Sequence, residues 1–257
     1  TLFTVPNGDV YEFILYADCG TVQNDPFAGP ISIGIPNPNI GFLDWDSTCT
    51  TPFEDISATG QALGLADDDE FGVVLPFSFQ LEDQISNEFT ISNNGVIVFG
   101  TTTANVGFSN GSINGSQQDG MYPFWDDLRT PGEVYYEVRG TAPNRRAIVQ
   151  WQDKTQFSTP EGITFQVVLF EGSSEFAFVY DDVIFGNPTY DNGNSATVGT
   201  EGTLNPYQVS FNDPNIFDGM CIYWSYETCP MVNNVVVTGV NTDSVFFTIT
   251  PRGNETE

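Results

Sequence analysis

Clustered acidic residues are the side chains in this sequence that are best placed to do chemistry. The candidate ligands are Asp67, Asp68, Asp69, Asp126, Asp127, Asp181 and Asp182. Ca²⁺ takes roughly six to eight hard oxygen ligands, and carboxylates supply them most often in proteins. No EF-hand spacing accompanies these acids, and the alternative is a solvated loop in which Asp126 caps or braces the turn at Trp125. Calcium is therefore the one cofactor that the sequence suggests.

Catalytic chemistry has no visible centre in this chain. The sequence contains no histidine, so the base that nucleophilic triads normally use is missing, and His-ligated metal sites fail for the same reason. A glycosidase needs only two carboxylates, but none of the 34 acidic residues stands out as a pair. The sequence predicts a protein that is not an enzyme, with neither catalytic nor cofactor-binding residues.

Two tryptophans are candidates for stacking on a ligand. Aromatic faces suit sugar rings, and Trp45 and Trp125 lie in loop-like sequence where exposure is expected. Trp151 instead follows Ala147 and Val149 in an alternating pattern, which predicts burial. Carbohydrate binding through Trp45 and Trp125 is one functional alternative, although burial explains most aromatic residues in such a chain.

The four cysteines predict disulfides. Cys19 and Cys49 lie in the first part of the chain, and Cys221 and Cys229 lie near its end. Three pairings are possible, and short loops favour Cys19–Cys49 with Cys221–Cys229. Zinc is the competing interpretation, but the Cys-x2-Cys spacing is absent. Disulfides form in oxidising compartments, so the sequence predicts an extracellular or cell-surface protein.

The charge balance restricts the possible partners. The net charge is −28, with Lys154 as the single lysine and only five arginines. Such a surface repels phosphate, so neither nucleic acid nor anionic lipid is an expected partner. No apolar stretch approaches the roughly 20 residues of a membrane span. The expected partners are other domains of the same protein, an extracellular protein or glycan surface, and further copies of the chain.

Strand periodicity runs through the sequence. Apolar residues alternate in Ile163–Phe170, and glycine and serine at 172–174 then turn the chain toward Phe176. Hairpins are also predicted around Asn93-Asn94-Gly95 and the loop 140–144. More than ten short strands indicate an all-β fold, a disulfide-containing antiparallel β-sandwich of jelly-roll type with β-rich terminal segments.

Composition suggests three regions. Residues 1–52 are predicted to be an N-terminal β segment or the end of a preceding module, with a proline-rich stretch near its middle. Residues 53–229 carry the sandwich. Residues 230–257 begin a new run of β-branched residues after Cys229-Pro230.

A series of motifs in residues 53–229 resembles a known extracellular module. The motifs follow one another at 53–60, 67–70, 75–79, 91–100, 122–128, 132–136, 148–151, 164–169 and 196–199. Their order resembles a β-rich module of large bacterial secreted surface proteins, and it is similar to the nidogen-type (NIDO) domain of animal matrix and adhesion proteins. The resemblance implies an extracellular, non-catalytic building block, and it brings no binding residues with it.

The tail from Pro230 to Thr250 is similar to the opening strands of a fibronectin type III domain. Candidate strands are Val235–Val240 and Ser244–Ile249. The tail departs from that pattern because it has no core tryptophan and ends early. It is therefore either the beginning of such a domain or a set of strands exchanged with a neighbour.

Three functions compete at this stage. The leading hypothesis is a non-catalytic adhesion or scaffold module of a microbial cell-surface or secreted multidomain protein. The first alternative is a subunit of an extracellular filament, in which Tyr11–Tyr16 or Val235–Ile249 pairs with the next subunit by strand addition. The second alternative is a carbohydrate-binding module.

Overall fold

The computed structural model describes residues 42–157, 159–227, 234–240 and 245–250. Residues Leu43–Ser225 form one compact unit of two antiparallel sheets, and this confirms the predicted β-sandwich. The predicted strand at Tyr11–Tyr16, together with Cys19 and Cys229, lies outside the described residues.

The larger sheet has seven strands, in the spatial order β1-β13-β10-β9-β8-β7-β2. Its strands are β1 (Phe42–Asp46), β2 (Gln61–Ala62), β7 (Glu133–Arg139), β8 (Arg146–Lys154), β9 (Ile163–Phe170), β10 (Phe176–Asp182) and β13 (Cys221–Glu227). The smaller sheet has six, in the order β12-β11-β6-β5-β4-β3. Its strands are β3 (Glu70–Leu81), β4 (Gln84–Ser92), β5 (Val96–Phe99), β6 (Gly120–Trp125), β11 (Thr197–Glu201) and β12 (Pro206–Phe211).

Outside the two sheets, the described residues contain one separate hairpin and one short helical turn. Strands β14 (Asn234–Val240) and β15 (Val245–Thr250) pair with each other in a second unit. Asp191–Gly193 forms a 3₁₀ turn. Among the described residues, no helix has the length and apolarity needed to cross a membrane.

The predicted hairpins form as the turn chemistry requires. Strands β4 and β5 are joined through Asn93, Asn94 and Gly95, and Gly95 has a φ of 71°. Any side chain there would also collide with its surroundings, because a Cβ would lie 2.0 Å from the carbonyl oxygen of Phe124. Glycine is needed at this turn for both reasons.

The core between the sheets is aromatic. Phe79 on β3 meets Phe176 on β10 with ring centroids 6.2 Å apart, and Phe124 on β6 meets Phe165 on β9 at 5.5 Å. Trp151 stacks on Phe165 at 4.9 Å and is fully buried, as its alternating context predicts. The high phenylalanine content therefore supplies the apolar area that holds the two sheets together.

The outer face of the larger sheet is also covered, although alternation alone suggests that it meets water. Residues 49–60, here called the cover segment, lie across strands β8–β10. Ile56 is fully buried in a cluster that includes Ile148, Val168 and Ala177. This second layer explains why β8 and β9 are buried on both faces.

Two buried glutamines attach the cover segment to the sheet. Gln166 Oε1 accepts the backbone N–H of Glu54 at 3.1 Å, and its Nε2 donates to the Glu54 carbonyl oxygen at 2.6 Å. Gln150 Oε1 accepts the N–H of Ile56 at 2.9 Å. The two side chains thereby replace the ladder partners that a neighbouring strand would provide.

A disulfide joins Cys49 to Cys221, across a sequence separation of 172 residues. This bond excludes both Cys19–Cys49 and Cys221–Cys229, so the favoured pairing is wrong. The prediction rested on short loops, whereas the sheet brings the start of the cover segment beside the beginning of β13. The Cα atoms of Cys49 and Cys221 are consequently 5.5 Å apart, a normal distance for a disulfide.

Strands β1, β2 and β6 were not predicted from the sequence. Strand β1 ends seven residues before the predicted boundary at 53, within residues 1–52, where Tyr11–Tyr16 was the strand predicted. Strand β6 was interpreted as a loop-like stretch ending in Trp125. The compact unit runs from Leu43 to Ser225, whereas the predicted bounds of the module are 53 and 229.

Candidate functional site

Three of the predicted calcium ligands converge at one end of the sandwich. Carboxylate oxygens of Asp67, Asp68 and Asp127 lie within 4.8 Å of one another, and these residues are called the acidic triad below. Burial raises the pKa of Asp127, and the charges of Asp68 and Asp67 raise it further. The Arg129 guanidinium balances part of this charge, with its Nη2 lying 3.3 Å from Asp67 Oδ2.

The triad provides part of a calcium coordination sphere. Three carboxylates fall short of the roughly six to eight oxygens that Ca²⁺ prefers. Two of them already have partners, since Asp67 pairs with Arg129 and Asp68 Oδ1 accepts the Asn94 side-chain N–H at 2.9 Å. A cation here would have to share these carboxylates with groups of the protein.

Asp69 and Asp126 lie near the triad, but their carboxylates accept hydrogen bonds from the backbone and from neighbouring side chains. Asp69 accepts the N–H of Glu70 at 3.0 Å. Asp126 is 5 % exposed and accepts hydrogen bonds from the Asp127 N–H, Gln156 Nε2 and the Ser195 hydroxyl. Burial is the main reason that its pKa is raised to about 6. Asp126 thus braces the turn that follows Trp125.

The remaining pair, Asp181 and Asp182, lies at the end of β10 and is not part of the triad. Asp182 Oδ1 accepts the N–H of Ile184 at 2.9 Å. Burial raises the pKa of Asp181, and the charges of Asp182, Asp218 and Asp55 add to this effect. Of the seven predicted ligands, the structure therefore assembles three into one cluster.

Beneath the triad lies the asparagine turn, Asn93 and Asn94, which joins β4 to β5. Both residues are fully buried. Asn94 Oδ1 accepts the Leu128 N–H at 3.1 Å, and the Asn93 N–H donates to the carbonyl oxygen of Asp69 at 2.9 Å. Asn93 Nδ2 donates to the Leu128 carbonyl oxygen. The turn thereby holds together the two loops that carry the triad.

Lys154, the single lysine, is fully buried at the end of β8. Its Nζ donates to Asn93 Oδ1, which is the only hydrogen bond of this amine within the described part of the chain. Burial lowers the pKa of Lys154 to about 8, against the opposing charges of Glu133 and Asp67. Lysine is almost never fully buried without a charged partner, so this site is unusual.

The sequence analysis counted Lys154 in the charge balance and did not predict its burial. The ladder between β8 and β9 shifts register between Trp151 and Lys154, and Asp153 has a φ of 52°. This bulge turns Lys154 toward the core. A bulge of this kind leaves little trace in the hydrophobic pattern, so no simple signal would have revealed it.

The two candidate stacking residues have different environments. Trp125 is 6 % exposed, its Nε1 donates to the Gly107 carbonyl oxygen at 2.9 Å, and its ring packs on Tyr122. The expectation that Trp125 is exposed is wrong, because β6 carries it into the core. Trp45 is 39 % exposed on β1 and lies 6.5 Å from Trp224, so only Trp45 offers a face to a ligand.

A family model for NIDO-related proteins matches residues 46–218. The chain belongs to the NIDO-related family. The match includes the acidic triad, the asparagine turn and Lys154, and it ends before the tail, whose likeness to fibronectin type III stays a prediction. No curated protein and no solved structure matches the chain.

Membership in the NIDO-related family and the Cys49–Cys221 bond agree on the compartment. A disulfide of this kind persists where the surroundings are oxidising. Together the two findings indicate an extracellular domain.

Proposed function

We propose that this NIDO-related chain is a non-catalytic adhesion or scaffold module of a secreted or cell-surface microbial protein. The observation that carries the proposal is the disulfide between Cys49 and Cys221, which joins the segment just after β1, the first strand, to the start of β13, the last strand of the compact unit. Strands β1 and β13 are neighbours at one edge of the larger sheet. A module that links neighbours in a longer chain has to transmit tension between its two ends.

The position of the disulfide would allow it to resist tension between the two ends of the unit. Trp45 precedes Cys49 and Trp224 follows Cys221, and the two rings are neighbours, so both ends of the unit leave β1 and β13 on the same side of the bond. Tension on the two ends would first separate β1 from β13, and the disulfide would then bear the force. The residues between the cysteines would not be extended, because the force would pass through the disulfide.

The polar groups of the candidate site support a structural role. Asp126, Asn93 and Asn94 each use their side chains to hold loops together. Glu82 is buried and accepts the backbone N–H groups of Leu204 and Asn205, which fastens the loop between β11 and β12. Polar groups engaged in this way stabilise a scaffold and are not free to act on a substrate.

The filament and carbohydrate-binding alternatives depend on different parts of the molecule. Strands β14 and β15 pair with each other, so a filament built through Val235–Ile249 would have to add a strand to this hairpin or open it. Carbohydrate binding rests on Trp45 alone. A filament predicts polymers of the purified chain in light scattering, and a lectin predicts glycan binding that Trp45→Ala abolishes without a loss of stability.

Single-molecule pulling on the two ends of the chain tests the scaffold function. With the disulfide intact, we expect no extension from the residues between Cys49 and Cys221. Reduction should release at most about 60 nm, from a separation of 172 residues at roughly 3.5 Å a residue. Release of a comparable length from the oxidised chain would show that the bond does not shield the sandwich and would overturn the proposed mechanical role.

Adhesion itself is tested by coating beads with the oxidised chain and measuring the force needed to detach them from microbial and host cell surfaces. The matched control is the Cys49→Ser/Cys221→Ser double variant, which has the same surface without the covalent link. We expect equal capture at rest and weaker retention of the double variant under flow. Failure of both proteins to bind any surface would leave the scaffold function and remove the adhesive one.

A further inference from the structure

The contact between Lys154 and Asn93 brings a primary amine and a primary amide together in the interior of the sandwich. Both residues are fully buried, and Lys154 Nζ donates to the carbonyl oxygen of the Asn93 side chain. They come from opposite layers, since Lys154 ends β8 of the larger sheet and Asn93 follows β4 of the smaller one.

Neighbouring contacts hold the two groups in place. Trp151, three residues before Lys154, donates its Nε1 to the carbonyl oxygen of Ser92 at 2.9 Å, which fixes β8 against the end of β4. Asn93 is held by its own N–H, which donates to the Asp69 carbonyl oxygen at 2.9 Å, and by its Nδ2, which donates to Leu128. Reactants held at contact distance react far faster than free ones.

We propose that Lys154 and Asn93 form an intramolecular isopeptide bond that joins the two sheets of the sandwich. The Lys154 Nζ attacks the Asn93 Cγ, a new C–N bond forms, and the bond from Cγ to Nδ2 breaks. One proton of the attacking amine passes to the departing nitrogen, which leaves as ammonia. The step is an amide exchange, so it needs no oxidant, reductant or further reactant.

The surroundings favour the reactive form of the amine. Only an unprotonated lysine is a nucleophile, and a desolvated site activates lysine by lowering its pKa. Burial does this at Lys154, so a substantial fraction of the amine is neutral at slightly alkaline pH.

The bond would also remove an energetic difficulty. A buried ammonium with a single neutral acceptor is costly, because three N–H donors and a full charge have lost their water. A secondary amide at the same place has no charge and needs only one donor and one acceptor satisfied. The product therefore fits the site better than the unreacted pair does.

The intact mass of the purified chain under denaturing, reducing conditions tests this proposal. We expect a mass about 17 Da below that of the sequence, the mass of ammonia, and after proteolysis a branched peptide that contains both Asn93 and Lys154. The Lys154→Met variant should have its full sequence mass. A native chain with the full sequence mass would overturn the proposal, whether or not any variant folds.

Amine labelling separates the cross-link from other losses of ammonia. A succinimide at an Asn-Gly step such as Asn94-Gly95 has the same mass change but leaves the lysine free. Because Lys154 is the only lysine, the denatured cross-linked chain should take up one amine label, at its α-amino group. A second label on Lys154 in most molecules would contradict the bond.

Discussion

The outer face of the larger sheet and the asparagine-turn end of the sandwich both bury polar side chains, but they satisfy them differently. At the outer face, Gln150 accepts from Ile56 and Gln166 and donates to Asp55 and Gln152, so every polar atom of this neutral side chain has a partner. At the asparagine-turn end, the Lys154 amine has one hydrogen-bond partner among the described residues, Asn93. Neutral amides are buried at low cost once they are paired, whereas a cation with one neutral acceptor is not.

The fold therefore satisfies buried neutral amides with reversible hydrogen bonds, whereas a buried charge favours conversion to an uncharged covalent product. The cover segment is attached by amides, by ion pairs from Glu54 to Arg139 at 3.2 Å and to Arg146, and by the disulfide. Both ion pairs are partly exposed, which limits their contribution to the unfolding free energy. The asparagine turn and Lys154 lie deeper, where the loss of water makes an uncharged product favourable.

Removal of the disulfide should have the largest effect on the outer face. We expect the Cys49→Ser/Cys221→Ser variant to lose about 4 to 5 kcal/mol of unfolding free energy, because the bond closes a loop of 172 residues in the unfolded chain. Denaturant titration of both proteins measures the difference. A loss below about 1 kcal/mol would mean that the unfolded chain is already compact or that the bond is strained.

Ionisation of Asp126, near the asparagine turn, should have the next largest effect on the unfolding free energy. Burial raises the pKa of Asp126 to about 6, so the folded form holds this proton more tightly than the unfolded chain. The stabilisation is therefore complete below about pH 4 and is lost as the pH rises through about 6.

The Asp126→Asn variant isolates this contribution. The unfolding free energy of the variant minus that of the native chain should be larger at pH 7 than at pH 4 by about 2 to 3 kcal/mol, so the variant gains stability over the native chain as the pH rises. Denaturant titrations of both proteins at the two pH values give this double difference, in which the contributions of other acids cancel. An equal difference at both pH values would show that Asp126 does not titrate as its burial requires.

Gln150→Ala tests how far paired neutral amides stabilise the outer face. The change leaves the buried N–H of Ile56 and the side chain of Gln166 with one partner fewer, and we expect a loss of about 2 kcal/mol. Gln118→Ala, at an exposed hydrogen bond to the Asn105 carbonyl oxygen, is the control and should lose less than about 0.5 kcal/mol. Equal losses would imply that water replaces Gln150.

The smallest effect should come from the acidic triad. Asp127→Asn removes repulsion with Asp67 and Asp68, and we expect a gain of about 0.5 to 1 kcal/mol in a buffer that contains a calcium chelator. If the triad holds calcium, millimolar calcium should make the native chain more stable than the variant, because only the native chain would then be stabilised by the ion. Thermal melting of both proteins with and without calcium measures this, and an identical calcium response would remove calcium from the triad.

Much of the framework could be predicted from local pattern. The alternation in Ile163–Phe170 and the Asn-Gly turn after β4 depend on side-chain period and backbone conformation, which neighbouring residues determine. The structure also has Trp151 in the core, as its spacing predicts. The acidic triad was predicted in part, since Asp67, Asp68 and Asp127 were all candidates, but nothing in the sequence separates them from Asp181.

The sequence by itself determined the all-β class, the turn positions and the lack of histidine chemistry, because these follow from residue types and short-range spacing. The tertiary structure alone decided that Cys49 pairs with Cys221, that Trp125 is buried and that Lys154 faces Asn93. Each of these depends on which strands become neighbours, or on a bulge that reverses the direction of a side chain. Contacts between distant residues arise only when the sheets assemble, and the hydrophobic pattern of each strand is compatible with many assemblies.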